Sequence, residues 1–249
     1  MSAGDIAAER IKPYDPQRPK SEQVEEMFNS IAPAYDFMNR AMTMGIDKIW
    51  RADAVREICR RNPADILDIA TGTGDLAILM ARRLPQARVS GADLSEGMIG
   101  IGRRKVARSG LSGRVSLDVA DCLALPYGDG SFDCVTVAYG VRNFADLLAG
   151  YREMYRVMRS GAMLSVIELS VPSSPLVRPL YRFYTRCIIP AVGRLVSKDP
   201  RAYSYLPESI AAVPQRAAMC ALMEQAGFSG CRWRALTFGT CCIYTAVKP

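Results

Sequence analysis

Two glycines and a set of carboxylates stand where a small charged ligand would be held. Gly72 and Gly74 lie two apart in Ala70-Thr71-Gly72-Thr73-Gly74-Asp75, with Asp68 just before the run and Asp93 19 positions after Gly74. Glycines at this spacing let the backbone turn sharply and admit a ligand close to the chain, since no Cβ intervenes. Gly72-x-Gly74-x-x-Ala77 also fits a dinucleotide fingerprint, which is a weak pattern by itself. Carboxylates on both sides of the loop, Asp68 and Asp75, disfavour a pyrophosphate in a partly dry site. They suit a cationic ligand carrying an amino group and a sulfonium, a description that S-adenosylmethionine meets. Asp75 has a plainer reading, as a first-turn carboxylate favoured by the helix dipole. Asp93 is placed to accept both hydroxyls of an adenosine ribose. Ser95 is the better cap for the helix that follows.

Further chemistry-bearing residues follow the later apolar runs. Asp121 can accept from an adenine amino group, and the backbone N–H of Cys122 can donate to the ring. Tyr139-Gly140-Val141-Arg142-Asn143 follows the most apolar run, so Arg142 and Asn143 lie where an acceptor substrate would sit in an open parallel sheet. Glu168 ends another run and is an alternative ion-pair partner for Arg142. The chain has no histidine, which excludes Ser-His and Cys-His triads and leaves a carboxylate, a tyrosine, a lysine, a bound water or an arginine-oriented group as base.

These residues need strands to carry them. Ile66, Leu67 and Ile69 form a short buried strand, and Leu76, Leu79 and Met80 recur at helical spacing from about Asp75. Ala87 to Ala92, Arg114 to Val119, Phe132 to Ala138 and Ala162 to Leu169 read as further strands. Between them lie a helix over Glu96 to Ser109, with a basic outer face of Arg103, Arg104, Lys105 and Arg108, and a helix striped by Leu147, Tyr151, Met154 and Met158. Pro214 to Gly227 reads as a helix, and Gly230 to Thr237 and Gly239 to Val247 as an antiparallel hairpin. Ahead of all this, residues 1 to 20 are polar and proline-containing and are expected to form a flexible arm. Helices are expected over residues 21 to 61, the first capped by Ser21, with Tyr35, Met38 and Met42 on one face. The whole of 21–249 is expected to be a single domain.

Composition bounds the class. The chain has 249 residues, 49% hydrophobic and 23% charged, as in an ordinary globular enzyme. No run approaches the roughly 18 apolar residues of a membrane span, and the N-terminus lacks the apolar stretch of a secretory signal. Eight cysteines with no C-x-x-C pair read as reduced thiols of a cytoplasmic protein and argue against a metal site. Between Val171 and Arg201, six basic residues face a single Asp199, which is five of the chain's seven net positive charges. Arg178, Arg182 and Arg186 step by four among Leu180, Tyr181, Phe183 and Tyr184. The segment reads either as a basic amphipathic surface for an anionic membrane or as a solvated cap over the substrate cleft. No nucleic-acid motif accompanies it.

Taken together the chain resembles the ubiquinone/menaquinone biosynthesis C-methyltransferases over about residues 20 to 248. The resemblance rests on Tyr35-Asp36-x-Met38-Asn39 followed by Thr43, Gly45-Ile46 and Trp50, on Asp68-x-Ala70-x-Gly72-Thr73-Gly74-Asp75, and on Gly140-Val141-Arg142-Asn143. It extends to Arg156-Val157-Met158 through Gly161 to Glu168-x-Ser170, and to Tyr203-x-Tyr205-Leu206-x-Glu208-Ser209-Ile210. The chain departs from the family at Thr43, often serine, at Asp47, often histidine, and at Arg159-Ser160-Gly161-Ala162, usually Lys-Pro-Gly-Gly.

The resemblance implies a Rossmann-like class I S-adenosylmethionine-dependent methyltransferase, α/β, with a mostly parallel seven-stranded sheet and a C-terminal antiparallel hairpin. It places cofactor contacts on Thr73, Asp93, Asp121, Cys122 and Ala138, the last through its backbone only, beside Asp68, Gly72 and Gly74 of the loop. It implies transfer of a methyl group to a ring carbon of a prenylated quinol, demethylmenaquinol first and a ubiquinone precursor second. Arg142, assisted by Asn143 and Tyr35, is expected to stabilise the quinolate. The insertion over 171–213 is expected to form the lipid-facing wall, with the protein cytoplasmic and peripheral at the inner face of the membrane. A homodimer is left open. Two other readings remain at this stage: a nicotinamide-dependent oxidoreductase and a non-catalytic scaffold in a quinone-synthesis assembly.

Overall fold

The structure, a computed structural model, describes residues 6–189 and 199–249. Apolar runs bounded by glycine turns produce a seven-stranded sheet. Its strands are β1 (Asp65–Ile69), β2 (Arg88–Asp93), β3 (Val115–Val119), β4 (Phe132–Ala138), β5 (Met158–Leu169), β6 (Ser229–Leu236) and β7 (Cys241–Val247). The order is β3-β2-β1-β4-β5-β7-β6. The first five strands are parallel, and β7 runs antiparallel to both β5 and β6. The expected mixed sheet and terminal hairpin are thus present. β1 and β4 sit at its centre, buried on both faces, as their near-continuous apolar sequences require.

Helices cover both faces. They are α1 (Ala7–Arg10), α2 (Lys20–Thr43), α3 (Asp47–Cys59), α4 (Asp75–Arg83), α5 (Glu96–Arg108), α6 (Leu147–Val157), α7 (Val177–Phe183), α8 (Pro200–Ala212) and α9 (Ala217–Gln225). One core cluster joins β4, β5 and β7 to α6 and α9 through Val135, Val166, Tyr151 and Met223. A second joins β1 and β2 to α3 and α4 through Ile66, Val89, Ile58 and Met80. A third, built by Met27, Ile31, Met38, Met98, Ile189 and Tyr205, ties α2 to the insertion.

Three local expectations are corrected. Of the expected arm over 1–20, residues 1–5 lie outside the described residues, and the rest is anchored rather than free: Ala8 is buried in the main core, Glu9 Oε1 accepts the N–H of Leu147 at 2.8 Å and Lys20 is buried, while residues 16–19 stay exposed. Ser21 does not cap a helix. Pro19 occupies that position and α2 runs unbroken through Pro33, because its buried face continues from Val24 to Met38. Lys105 does not belong to a solvated basic face, as shown below. The insertion supplies α7, a π-helical turn over Tyr184–Ile188 and α8. Arg194 and Lys198 of its basic segment lie outside the described residues, and the side chain of Arg186 is not described. Among the described residues, no helix is long and apolar enough to cross a membrane.

Candidate active site

Every candidate group stands at the carboxyl ends of the parallel strands. The loop after β1 bends through Ala70 (φ 51°), Gly72 (φ 56°) and Gly74 (φ 76°), and Gly74 precedes the first residue of α4. Left-handed backbone is cheap for the glycines and strained for Ala70. A Cβ on Gly74 would sit 3.1 Å from Leu117 Cδ1 and 3.9 Å from the Cα of Gly102, so this glycine serves the turn and the close packing of the helix. Asp68 lies beneath the loop, accepting from the hydroxyls of Thr71 and Thr136, each at 2.6 Å. Burial pushes its carboxyl up to about 6 despite those bonds.

A charge network locks the loop to α2. Thr73 donates its hydroxyl to Asp36 at 2.6 Å and accepts from Lys105 at 3.0 Å. Lys105 also pairs with Asp36 at 2.8 Å and with Asp75. Asp75 lies 3.8 Å from Arg51 as well. The loop's second carboxylate is therefore already neutralised, and the cationic-ligand argument passes to Asp68 and Asp93. The Thr73 side chain likewise fixes the loop. The inward turn of Lys105 was present in the sequence as spacing: with Met98 and Ile101 it falls on one helical stripe.

Beside this loop lies a cleft lined by Gly72, Asp93, Asp121, Cys122, Ala138 and Asn143. Of the sequence-derived contacts, Gly72, Asp93, Asp121, Cys122 and Ala138 meet here, although they come from four strand ends, whereas Asp68 and Thr73 line a separate small pocket with Arg51 and Asp75. Asp93 accepts the N–H of Gly72 at 2.8 Å and that of Ser95 at 2.9 Å, while Ser95 itself caps α5 by accepting from Met98. Burial raises the Asp93 carboxyl, with those two N–H groups opposing it. Asp121 accepts the N–H of Leu123 at 2.9 Å, and burial pushes the Cys122 thiol well up, so it stands neutral. Gly140 forms part of the wall. A Cβ there would sit 2.5 Å from that of Ala70, so only glycine lets the β1 and β4 ends approach.

Tyr35, on α2, lines this cleft and a second cavity of about 210 Å³. Burial raises its phenol above the usual range, with a hydrogen bond to Asn39 opposing. The second cavity is walled by α2, α3, the β4 end and the insertion, through Met42, Trp50, Tyr139, Arg142, Tyr181 and Leu206. Arg142 and Asn143 form a 3-10 turn after β4. Arg142 Nη1 donates to Glu168 Oε1 at 2.8 Å and to the Tyr139 carbonyl, and its backbone N–H reaches Glu168 Oε2 at 3.3 Å. Burial opposes the guanidinium charge most strongly, but Glu168, Tyr35 and Tyr205 together outweigh it and the pKa stays above the ordinary arginine value. The ion pair weighed from sequence exists, yet it engages only one end of the fork: Nε is buried and has no partner among the described residues. Asn143 Oδ1 accepts from Tyr205 at 3.2 Å. Lys20, missed in the sequence, is buried and donates to the carbonyls of Ala8 (2.8 Å) and Arg142 (2.9 Å). It ties the N-terminal segment to the turn after β4, and burial lowers it to about 8.

These residues fit S-adenosylmethionine. A left-handed glycine loop, the buried carboxylates Asp68 and Asp93 and an apolar cleft with Asp121 at its far side match an amino-acid, ribose and adenine arrangement. No metal-ligating group of three is found among the described residues. Solved structures share the architecture: a possible histamine N-methyltransferase from Thermotoga maritima aligns with TM-score 0.63 at 17% identity, covering 91% of this chain and all of that one. A putative O-methyltransferase from Nostoc punctiforme aligns at 0.65 and 18%, covering 89% and 60%. The fold is that of the class I methyltransferases.

Sequence comparison narrows the class. The chain belongs to the ubiE/COQ5 methyltransferase family, whose model matches residues 17–248. It is 46% identical over 240 residues to the demethylmenaquinone methyltransferase of Bacteroides fragilis, covering 96% of this chain and 98% of that one. It is 47% identical to the protein of the same name from Porphyromonas gingivalis, with the same coverage. Against the ubiquinone/menaquinone biosynthesis C-methyltransferase UbiE of Geobacter sulfurreducens it is 42% identical, covering 92% and 90%.

Proposed function

We propose that this protein methylates a ring carbon of demethylmenaquinol, giving menaquinol. The observation that carries the reading is the juxtaposition, across Tyr35, of a nucleotide-type cleft and an apolar cavity that holds a buried arginine with unused donor capacity. When bound, S-adenosylmethionine supplies an electrophilic methyl group. Asp93 and Asp121 hold its ribose and adenine, and Asp68 with the loop at Gly72 holds its amino-acid end.

A ring carbon is a poor nucleophile until the neighbouring hydroxyl ionises. Arg142 is the group suited to that task. Its Nη1 is pinned by Glu168, which fixes the fork's orientation, and its remaining N–H groups donate to the oxyanion. Charge-assisted bonds of this kind in a dry site are strong and need no reorganisation during reaction. Asn143, held by Tyr205, and Tyr35 position the water that takes the hydroxyl proton. The apolar walls at Met42, Trp50 and Leu206 accept the ring and the root of the prenyl tail.

The insertion supports a second element of the reading. Tyr181, Tyr184 and Thr185 face the cavity, while Leu176, Leu180 and Phe183 are exposed beside Arg178 and Arg182, and Met44 is exposed at the cavity edge. An apolar strip with basic neighbours fits an anionic leaflet, where each basic residue adds about 1 kcal/mol. The segment is then both cap and membrane face, so a prenylated acceptor enters from lipid. Pelleting with phosphatidylglycerol vesicles, but not with phosphatidylcholine vesicles, checks this.

The test of the chemistry compares acceptors. Labelled S-adenosylmethionine is supplied with reduced short-chain demethylmenaquinone or a matched ubiquinone precursor, using the native protein and Arg142→Lys. Label enters the naphthoquinol in preference to the benzoquinol. Arg142→Lys keeps the charge but loses the planar fork, and turnover falls about a hundredfold, in line with loss of a transition-state donor. Full turnover by Arg142→Lys would refute the assigned role; label in the benzoquinol alone would redirect the substrate.

A further inference from the structure

Several polar groups in the wall of the second cavity are already engaged. Thr43 Oγ1 lies 2.9 Å from Asp47, which pairs with Arg51 at 2.8 Å. Trp50 Nε1 donates to Thr237 at 2.8 Å, and Tyr184 donates to the Met42 carbonyl at 2.8 Å. Two wall residues depart from this pattern. The hydroxyl of Tyr139 and the Nε of Arg142 are buried and have no partner among the described residues. A buried polar atom without a partner is costly to the fold, so each such atom calls for a reason.

Tyr139 is unusual in its backbone as well. It adopts φ 60°, a left-handed conformation that is a true outlier for a bulky aromatic residue. The conformation is held from both sides: its N–H donates to the Ile167 carbonyl at 2.7 Å, and its own carbonyl accepts from Arg142. The result is a ring inserted between Trp50, with centroids 6.5 Å apart, and the Arg51 guanidinium 5.6 Å from the ring centroid. Strain of this kind persists where surrounding structure over-determines it, and it gathers at ligand sites. Burial keeps the phenol protonated well above its ordinary range, with Cys241, Asp47 and Glu168 adding to the effect and Arg51 opposing it. At neutral pH the group is a hydrogen-bond donor.

We propose that the Tyr139 hydroxyl binds the second oxygen of the acceptor ring, para to the oxygen taken by Arg142, and so selects 1,4-diols over rings bearing one oxygen. The inference rests on the quinol reading above and deepens it. A quinol carries oxygens at opposite ends of its ring. Only the oxygen adjacent to the attacked carbon activates that carbon, so the far one is available as a handle. The Tyr139 hydroxyl and the Arg142 guanidinium, both in the lining of this cavity, provide one group for each oxygen. Because a site built around a hydroxyl discriminates strongly against its absence, the second donor sets specificity without taking part in proton transfer.

Tyr139→Phe tests this with two acceptors: short-chain demethylmenaquinol, and the same molecule with hydrogen in place of the far hydroxyl. The expected result is a fall of about tenfold in kcat/KM on the diol, the worth of one neutral hydrogen bond. On the mono-oxygen analogue, the native protein and the variant act within twofold of each other. The ligand-free variant melts no lower than the native protein, since the lost hydroxyl bonds to nothing, and its cofactor affinity is unchanged. An equal loss on both acceptors, no loss on the diol, or a lower melting temperature would each overturn the proposal while leaving the quinol reading intact. No methylation of either ring by the native protein overturns the quinol reading, and this inference with it.

Discussion

Asp68→Asn sets stability against function at a single buried atom. Asp68 is 1% exposed and accepts one hydroxyl on each oxygen, from Thr71 and Thr136. Burial lifts its carboxyl to about 6. An acid whose pKa rises on folding holds its proton more tightly when native. Stability is therefore highest below the unfolded value of about 3.9 and falls as pH climbs through about 6. Two pKa units correspond to about 3 kcal/mol, all of it lost by pH 7.5. Asparagine escapes that loss, but its amide offers only one accepting oxygen, a deficit of about 1 kcal/mol. The variant should be about 2 kcal/mol more stable than the native protein at pH 7.5, a rise of roughly 4–8 °C in Tm for a chain of this size. At pH 4.5 the two proteins should melt together, because Asp68 is then mostly protonated in the fold. On the cofactor placement proposed above, affinity for S-adenosylmethionine should fall in the same variant, since the carboxylate assigned to its cationic end is gone. The assay is thermal melting without ligand at both pH values, with calorimetric titration of cofactor at pH 7.5. A variant less stable at pH 7.5, or a difference that does not change with pH, would refute the reasoning.

Two further substitutions probe the loop. Lys105→Met takes the lysine from Asp36 and Asp75, leaving them Thr73 and the more distant Arg51. Breaking a buried pair costs about 3–5 kcal/mol, and partial exposure of both carboxylates reduces this to about 2 kcal/mol. Urea titration should show that loss together with weaker cofactor binding, and unchanged binding would mean that the network does not hold the loop. Gly140→Ala puts a Cβ 2.5 Å from that of Ala70 and 3.0 Å from Val137 Cγ1. It should cost about 1–3 kcal/mol as an overpacking change and raise the cofactor Kd, whereas native stability would show that the strand ends have room.

Much of this arrangement was legible in sequence because it depends on local rules. β4 falls where its nearly continuous apolar run placed it, from Phe132 to Ala138. Ser95 caps α5, and Gly72, Asp93, Asp121 and Ala138 meet in one cleft because parallel strands deliver their ends to one edge. The features that escaped are those fixed by contacts across the chain. Lys105 is basic and looks solvated until α2 brings Asp36 to it. Residues 6–19 have an arm's composition, yet Ala8 and Glu9 find partners on α6 and near Arg142. Asp75 seemed free for a ligand because Arg51 and Lys105, its neutralising partners, are 24 and 30 positions away. The strain at Tyr139 carries no compositional signal, since left-handed aromatic residues are rare enough that no pattern announces them.

The most direct test of the account is the position of the transferred methyl group. The protein is given S-adenosylmethionine labelled with carbon-13 in the methyl group and reduced short-chain demethylmenaquinone, and the product is examined by NMR after oxidation. The account predicts a labelled methyl on the ring carbon next to the oxygen held by Arg142, with the ring proton lost from that carbon. A labelled methyl on oxygen, or no transfer while the cofactor still binds, would contradict it.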